Sequence, residues 1–342
     1  MTSFGAATLP ESPRWFIIKG LDEEACYVLG KLNDLDPTDE QVLHDFNLMK
    51  ADLKQMSSSQ ASWKTLFTFG KTQEFQRMMV GSSGQFFQQF TGCNAAIYYS
   101  TLLFKKDLHT GKTLSLILGG VFSTVYALGT IPSFLMVEKV GRRKLYMIGF
   151  LGQGLSFLLT MACLRGAVTL HNNSADDGAA VGLFLFIIFF AFSLLPLPWI
   201  YPPEINPLRT RTAAASVSTC TNWICNFAVV MFTPVFSNAS PWGIYLFFAL
   251  INLLAIPFAY FFYPETAGRQ LEEIDLIFAK AHVEGKWPFQ VAQTMPKLSY
   301  EEITSMAADL GLALREEHSE KMEIAMDEGD SQEKKTTTID VP

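Results

Sequence analysis

Gln85, Gln88, Gln89 and Asn94 set four side-chain amides into a stretch that is otherwise apolar, with Thr91-Gly92 among them and Tyr98-Tyr99 just after. A carboxamide offers donors and acceptors without charge. Such a set breaks no bonds; it suits recognition of a neutral ligand rich in hydroxyl groups, such as a sugar or polyol. Polar residues at membrane depth are rare, face a bundle interior or a wet cavity, and mark substrate paths. A second amide pair, Asn222 and Asn226, is spaced i, i+4 around Trp223, so both lie on one helix face. The bland role for any of these amides is to hold helices together, worth about 1 kcal/mol each in a membrane.

Other chemistries find no support. His44, His109, His171, His282 and His318 are scattered outside the apolar segments, so no catalytic or metal-binding cluster forms and an enzyme is not expected. Cys26, Cys93, Cys163, Cys220 and Cys225 have neither metal-ligand spacing nor the look of a disulfide framework. A net charge of −7 leaves no basic patch for nucleic acid. The opening residues lack the apolar core of a signal peptide. No cofactor is implied.

The elements that must carry the amides are membrane helices. Of 342 residues, 49% are hydrophobic, with 29 Phe against 26 Lys+Arg. The apolar windows predict an all-α membrane protein with six spans, at about 80–103, 114–137, 145–165, 180–201, 215–236 and 242–263. Each is near the ~20 apolar residues that cross a hydrocarbon core. Residues 1–79 read as cytoplasmic linker helices, including an amphipathic segment from Asp39 to Met56. Residues 264–342 read as a cytoplasmic tail, disordered in composition from about 316. Basic residues such as Arg77, Lys139, Arg142, Arg143, Arg209 and Arg269 gather on one side, which places both termini in the cytoplasm. Glycosylation sequons at Asn172 and Asn238 then fall outside.

Several short motifs fall in one order. They are Pro10-Glu11-Ser12-Pro13-Arg14, Gln88-Gln89-x-x-Gly92-x-Asn94 and Glu138-Lys139-Val140-Gly141-Arg142-Arg143. Pro196-Leu197-Pro198-Trp199 follows, with Glu204 and Arg209 after it, then Asn222-Trp223-x-x-Asn226 and Pro264-Glu265-Thr266-Ala267-Gly268-Arg269. This set resembles the sugar porter family of the major facilitator superfamily, and looks like fungal hexose or polyol transporters. The resemblance runs from residue 9 to about 280 and covers only the family's second half. It implies a multi-pass protein, expected in the plasma membrane, in which two six-helix halves hold a sugar or polyol near the midplane. The chain is accordingly expected to be a fragment, a six-helix half whose partners are the substrate, the lipid bilayer and the missing N-terminal half. A sugar sensor of the same fold is the alternative function.

By this resemblance Gln85, Gln88, Gln89, Asn94, Trp199 and Asn222 contact substrate, with Tyr98, Tyr126 and Asn226 as further candidates. Trp199 could stack on a sugar's C–H face. The family's glycines around Ser193 are replaced by a bulky Leu195, and its second-span asparagine by Tyr126. No carboxylate lies inside the spans except Glu138 at an edge, so this half offers no internal proton relay.

At ~100° per residue, Gln85, Gln88 and Gln89 share a helix face, whereas Asn94 points about 180° from Gln85. One straight helix cannot aim all four at one cavity, so a break is expected at Thr91-Gly92; broken helices are tolerated where they line a cavity. Glu11, Arg14, Glu138, Arg142, Arg143, Glu204, Arg209, Glu265 and Arg269 alternate in sign at the expected inner mouth. Ion pairs of ~0–1 kcal/mol each suit a gate biasing two conformations better than they suit a stability role.

Overall fold

The computed structural model describes residues 11–39, 41–47, 49–50, 63–106, 111–170 and 174–310. Among them every regular element is a helix and no strand occurs. The chain divides into two compact units, residues 1–65 with 208–210, and the remainder. The sequon at Asn172, the end of the amphipathic segment at 51–56 and the tail from 316 lie outside the described residues; Asn238 is exposed.

In the small unit, α1 (Pro13–Lys19) opens on Ser12, whose Oγ accepts from the Trp15 N–H at 3.3 Å, with proline in its first turn. Its end at Gly20 takes the left-handed conformation usual after a helix. Helix α2 (Asp22–Asn33) begins with three acidic residues that complement its N-terminal dipole. Ile17, Ala25 and Leu29 pack with Val42 and Phe46 into a core of their own.

The large unit carries the apolar helices. Its first apolar stretch forms two helices, α3 (Glu74–Phe90) and α4 (Cys93–Lys106). Next come α5 (Lys112–Gly129) and α6 (Ile131–Val140), then α7 (Arg142–Leu170). Helix α8 (Ser174–Phe189) widens into a π-turn at Phe190–Leu194 and resumes as α9 (Leu197–Ile205); α10 (Arg211–Ala239) and α11 (Gly243–Phe262) complete the set. Five stretches are long and apolar enough to cross a membrane: Lys112–Gly129, Arg142–Gly166, Asp177–Ile205, Arg211–Ala239 and Gly243–Phe262. The other expected span is the amide-bearing α3–α4 pair, which is broken and too polar to qualify alone.

Aromatic packing sets these helices against one another. Phe157 of α7 stacks on Phe186 of α8 at 4.1 Å and meets Phe248 of α11 at 5.7 Å. Outward faces remain apolar, as at Ile117, Phe134, Leu151 and Leu155, all exposed; a hydrocarbon solvent accepts such faces. Beyond α11, α12 (Leu271–Glu284), α13 (Pro288–Thr294) and α14 (Tyr300–Leu310) pack through Ile277, Val291 and Met295, and through Leu276, Ile303 and Ala307.

Candidate functional site

The site is built around the interruption between α3 and α4. Gly92 holds φ +89°, and a β-carbon there would lie 2.8 Å from the Phe248 ring, so conformation and space both demand glycine. An interruption frees carbonyls that a continuous helix would pair. The Gly92 N–H turns back to the Gln89 carbonyl at 3.1 Å. The Gln88 carbonyl instead accepts from Thr91 Oγ1 at 2.8 Å and Cys93 Sγ at 3.0 Å. Ala96 N–H then closes the first turn of α4 on the Gly92 carbonyl at 2.9 Å. The sequence carries its own substitutes for the lost bonds, and the break falls where the angular arithmetic required it.

Gln85 and Gln88 meet the kinked run from the π-turn into α9. Proline has no N–H to offer the carbonyl four residues before it. Pro198 therefore leaves the Leu194 carbonyl without a helical donor, and Pro202 does the same to Pro198. Gln88 Nε2 donates to the Leu194 carbonyl at 2.9 Å and to Leu195 at 3.3 Å. Gln85 Nε2 donates to the Pro198 carbonyl at 2.6 Å. Each glutamine thus replaces a donor that a proline removed. Both side chains are buried, at 1% exposure for Gln85 and 3% for Gln88, and their Oε1 acceptors have no partner among the described residues.

The remaining amides form a chain across the bundle. Gln89 Nε2 donates to Asn222 Oδ1 at 2.5 Å, while Gln89 Oε1 accepts from Asn94 Nδ2 at 2.7 Å. Asn94 Nδ2 also reaches Asn226 Oδ1 at 3.1 Å. The i, i+4 asparagines of α10 thereby receive one residue from each side of the break. Asn94 Oδ1 and the Nδ2 groups of Asn222 and Asn226 bond to no described residue, which leaves acceptors and donors of a kind hydroxyl groups match.

The other candidates stand apart from this chain. Trp199 is 46% exposed on α9, and Tyr98 is exposed on α4. Tyr126 is half-buried and stacks on Phe190 with centroids 6.1 Å apart. Among the described residues, none of the three hydrogen-bonds to the amides through its side chain.

At one end of the bundle the charged motifs separate into distinct jobs. Arg142 grips Glu204 with two hydrogen bonds, Nη2 to Oε1 at 2.6 Å and Nε to Oε2 at 3.1 Å, and Thr266 Oγ1 adds a third at 2.8 Å. Glu265 caps α7 by accepting the Arg142 N–H at 2.7 Å and the Arg143 N–H at 3.1 Å, and also accepts those of Thr266 and Ala267. A carboxylate at a helix N-terminus complements its dipole. Arg143 lies over the rings of Tyr260 and Phe289 at 4.5 and 5.1 Å, and donates to the Tyr260 carbonyl. Arg269 pairs with Glu273 and donates to the Ala292 and Met295 carbonyls. Glu138 is exposed and makes no ion pair among the described residues. Glu11, Arg14 and Arg209 are exposed residues of the small unit.

A family model described as "Sugar (and other) transporter" matches residues 1–278. The chain belongs to that family. It is 65% identical over 330 residues to "Major facilitator superfamily transporter mfsA" of Aspergillus fumigatus, an alignment covering 96% of this chain and 60% of that protein. It is 54% identical over 303 residues to "Sugar transporter STL1" of Saccharomyces cerevisiae, covering 89% of this chain and 52% of that one. This chain therefore spans little more than half the length of these relatives. Among solved structures, the inward-open xylose transporter XylE of E. coli matches with a TM-score of 0.60 at 23% identity, over 79% of this chain and 52% of that one. XylE bound to 6-bromo-6-deoxy-D-glucose matches with a TM-score of 0.58 at 24% identity, over 80% of this chain and 55% of that one. These likenesses fix the fold as that of the major facilitators. The family is one of transporters, not enzymes.

Three structural features of this chain escape a reading by motif. Asn252 of α11 donates to the Thr91 carbonyl at the break. Buried Arg77 pairs with Asp275, donates to the Ile205 carbonyl and lies over Phe278 at 4.5 Å, tying α3 to α9 and α12. The proline-healing roles of Gln85 and Gln88 are the third. Proline positions alone could have signalled the last, since they say which carbonyls lose their donors.

Proposed function

We propose that this chain forms one half of a sugar or polyol transporter that works by alternating access. The observation that carries the reading is the amide chain Gln89–Asn222 and Asn94–Asn226, assembled across a helix break. A hydroxyl-rich ligand would exchange its water for the acceptors of Gln85, Gln88 and Asn94 and the donors of Asn222 and Asn226, with Trp199 beside it. Tyr98 and Tyr126 are candidates for the rim. The other wall belongs to the missing N-terminal six helices, a partner supported by this chain's spanning 60% and 52% of two relatives.

In this reading Glu138, Arg142, Arg143, Glu204, Glu265 and Arg269 of the large unit form the cytoplasmic gate, with Arg142–Glu204 as its central pair, while Glu11, Arg14 and Arg209 are gating charges carried by the small unit. Residues 1–79 serve as the cytoplasmic linker, both termini are cytoplasmic, and the plasma membrane is the site of action. The test is uptake of labelled D-glucose, D-xylose and glycerol by cells expressing this chain with and without a six-helix first half from the Aspergillus fumigatus relative. Uptake of at least one probe only with both halves supports the proposal. No uptake of any probe by the assembled pair, correctly inserted, would reject it.

A further inference from the structure

Asn252 sits mid-way along α11, at 0% exposure, among apolar neighbours in sequence. Its Nδ2 donates to the Thr91 carbonyl at 3.2 Å and to the Phe248 carbonyl in its own helix at 2.9 Å. Its Oδ1 has no partner among the described residues. Leucine has the same branched heavy-atom skeleton, though its methyls are bulkier, and would bury no unpaired acceptor, a state that burial penalises. What the amide adds over leucine is its donor, and the donor goes to the residue at which α3 stops.

One turn earlier on the same helix, the Phe248 ring closes over Gly92, where a β-carbon would meet it at 2.8 Å. Helix α11 therefore holds the break at two successive residues, by a hydrogen bond at Thr91 and by ring contact at Gly92. Beside α4 lies a small cavity bordered by Gly92, Ala95, Ala96, Phe157 and Phe248. The angle between α3 and α4 is set where the two helices meet, at Thr91-Gly92. The meeting of Asn94 on α4 with Gln89 on α3, at 2.7 Å, depends on that angle.

We propose that Asn252 is a positioning residue for the ligand-binding amides. Through the Thr91 carbonyl it sets the angle between α3 and α4, and so the approach of Asn94 to Gln89 and Asn226. Both of its hydrogen bonds go to backbone, so it acts through the break and not by touching ligand. The inference rests on the transport reading for its functional consequence, but its structural claim is independent of that reading.

The test places spin labels, carried on noncanonical amino acids, at Met79 of α3 and Tyr98 of α4, both exposed. The chain is reconstituted in lipid nanodiscs. The parent should give one narrow distance distribution, Asn252→Leu a shifted or broadened one, and Asn252→Gln, which keeps a donor, a narrow one. An unchanged distribution in Asn252→Leu overturns the proposal. If Asn252→Leu does not yield a monodisperse protein, Asn252→Ala removes the donor without bulk and is read the same way.

In the assembled transporter, Asn252→Leu should raise KM about tenfold for whichever of D-glucose and D-xylose the parent takes up, with Vmax within about twofold, and Asn252→Gln should restore KM. A fall in Vmax at unchanged KM overturns the positioning role. If the parent takes up neither sugar, the transport reading fails for them, while the spin-label distances still decide whether Asn252 sets the break.

Discussion

Gln89 and Asn222 lie 133 residues apart and share a hydrogen bond of 2.5 Å, the shortest link in the amide chain between the broken helix and α10. Because Gln89 Oε1 simultaneously accepts from Asn94, one side chain holds α3, α4 and α10 in register. In the proposed transporter, ligand recognition and helix assembly are therefore not separate roles for these amides.

That sharing makes their substitutions non-additive. Gln89→Leu should raise the KM for uptake in an assembled transporter about tenfold, equivalent to about 1.4 kcal/mol. Asn222→Leu should do the same, and the double variant should be little worse than either alone. Fully additive losses in a double-mutant uptake cycle would show that the two contact ligand independently.

The glutamine–proline relation predicts a rescue. Gln88→Leu strips the Leu194 carbonyl of its donor and should cost about 1 kcal/mol of stability. Pro198→Ala in the same chain restores an N–H at the position that can pair with Leu194, and should recover much of that loss. Gln85→Leu with Pro202→Ala should behave likewise at the Pro198 carbonyl. Thermal unfolding of the four combinations in detergent measures the coupling; equal losses with and without the proline would disprove it.

Glu265 fills the space that a side chain at Gly141 would need. Gly141 has φ +91°, and a β-carbon there would lie 2.6 Å from Glu265 Oε2. Gly141→Ala should thus destabilise by more than about 1 kcal/mol. Glu265→Gln presents an amide nitrogen to backbone N–H groups and should cost about 1–3 kcal/mol. Thermal melts of the purified variants check both, and a neutral Glu265→Gln would mean that the cap adds nothing.

Neutralising Arg142 or Glu204 should shift the balance between outward- and inward-open states. Their pair is partly buried, with side chains 12% and 21% exposed, so its worth lies at the upper end of about 0–1 kcal/mol. Arg142→Gln should change the population ratio up to about fivefold. Spin-label distances between the two halves give that ratio directly; identical distributions would remove these residues from the gate.

Local geometry was legible in the sequence, and tertiary partners were not. The angular offset of Asn94 from Gln85 foretold the break at Thr91-Gly92, and the i, i+4 spacing foretold that Asn222 and Asn226 work together. Both follow from helix periodicity alone. The partners of Gln85 and Gln88 required knowing that α3 meets α9, across 113 and 106 residues. Alternating charges indicated a side of the membrane, yet Arg143 found aromatic rings and a carbonyl because α11 and α13 bring Tyr260 and Phe289 to it. Hydropathy began the first span near 80, whereas α3 starts at Glu74: Glu74 and Arg77 are buried by protein, which a hydropathy window cannot foresee. Asn252 carries no such signal, because a single amide in an apolar run gives no spacing to read.

The broken helix also imposes an order in time. Gln89 leaves the ribosome 133 residues before Asn222, an interval on the order of ten seconds at the usual pace of synthesis. Until α10 arrives, the amides of α3 and α4 lack the partners that make them tolerable at membrane depth. In the proposed transporter that helix pair would need shielding from lipid until one of the last spans to be made is delivered.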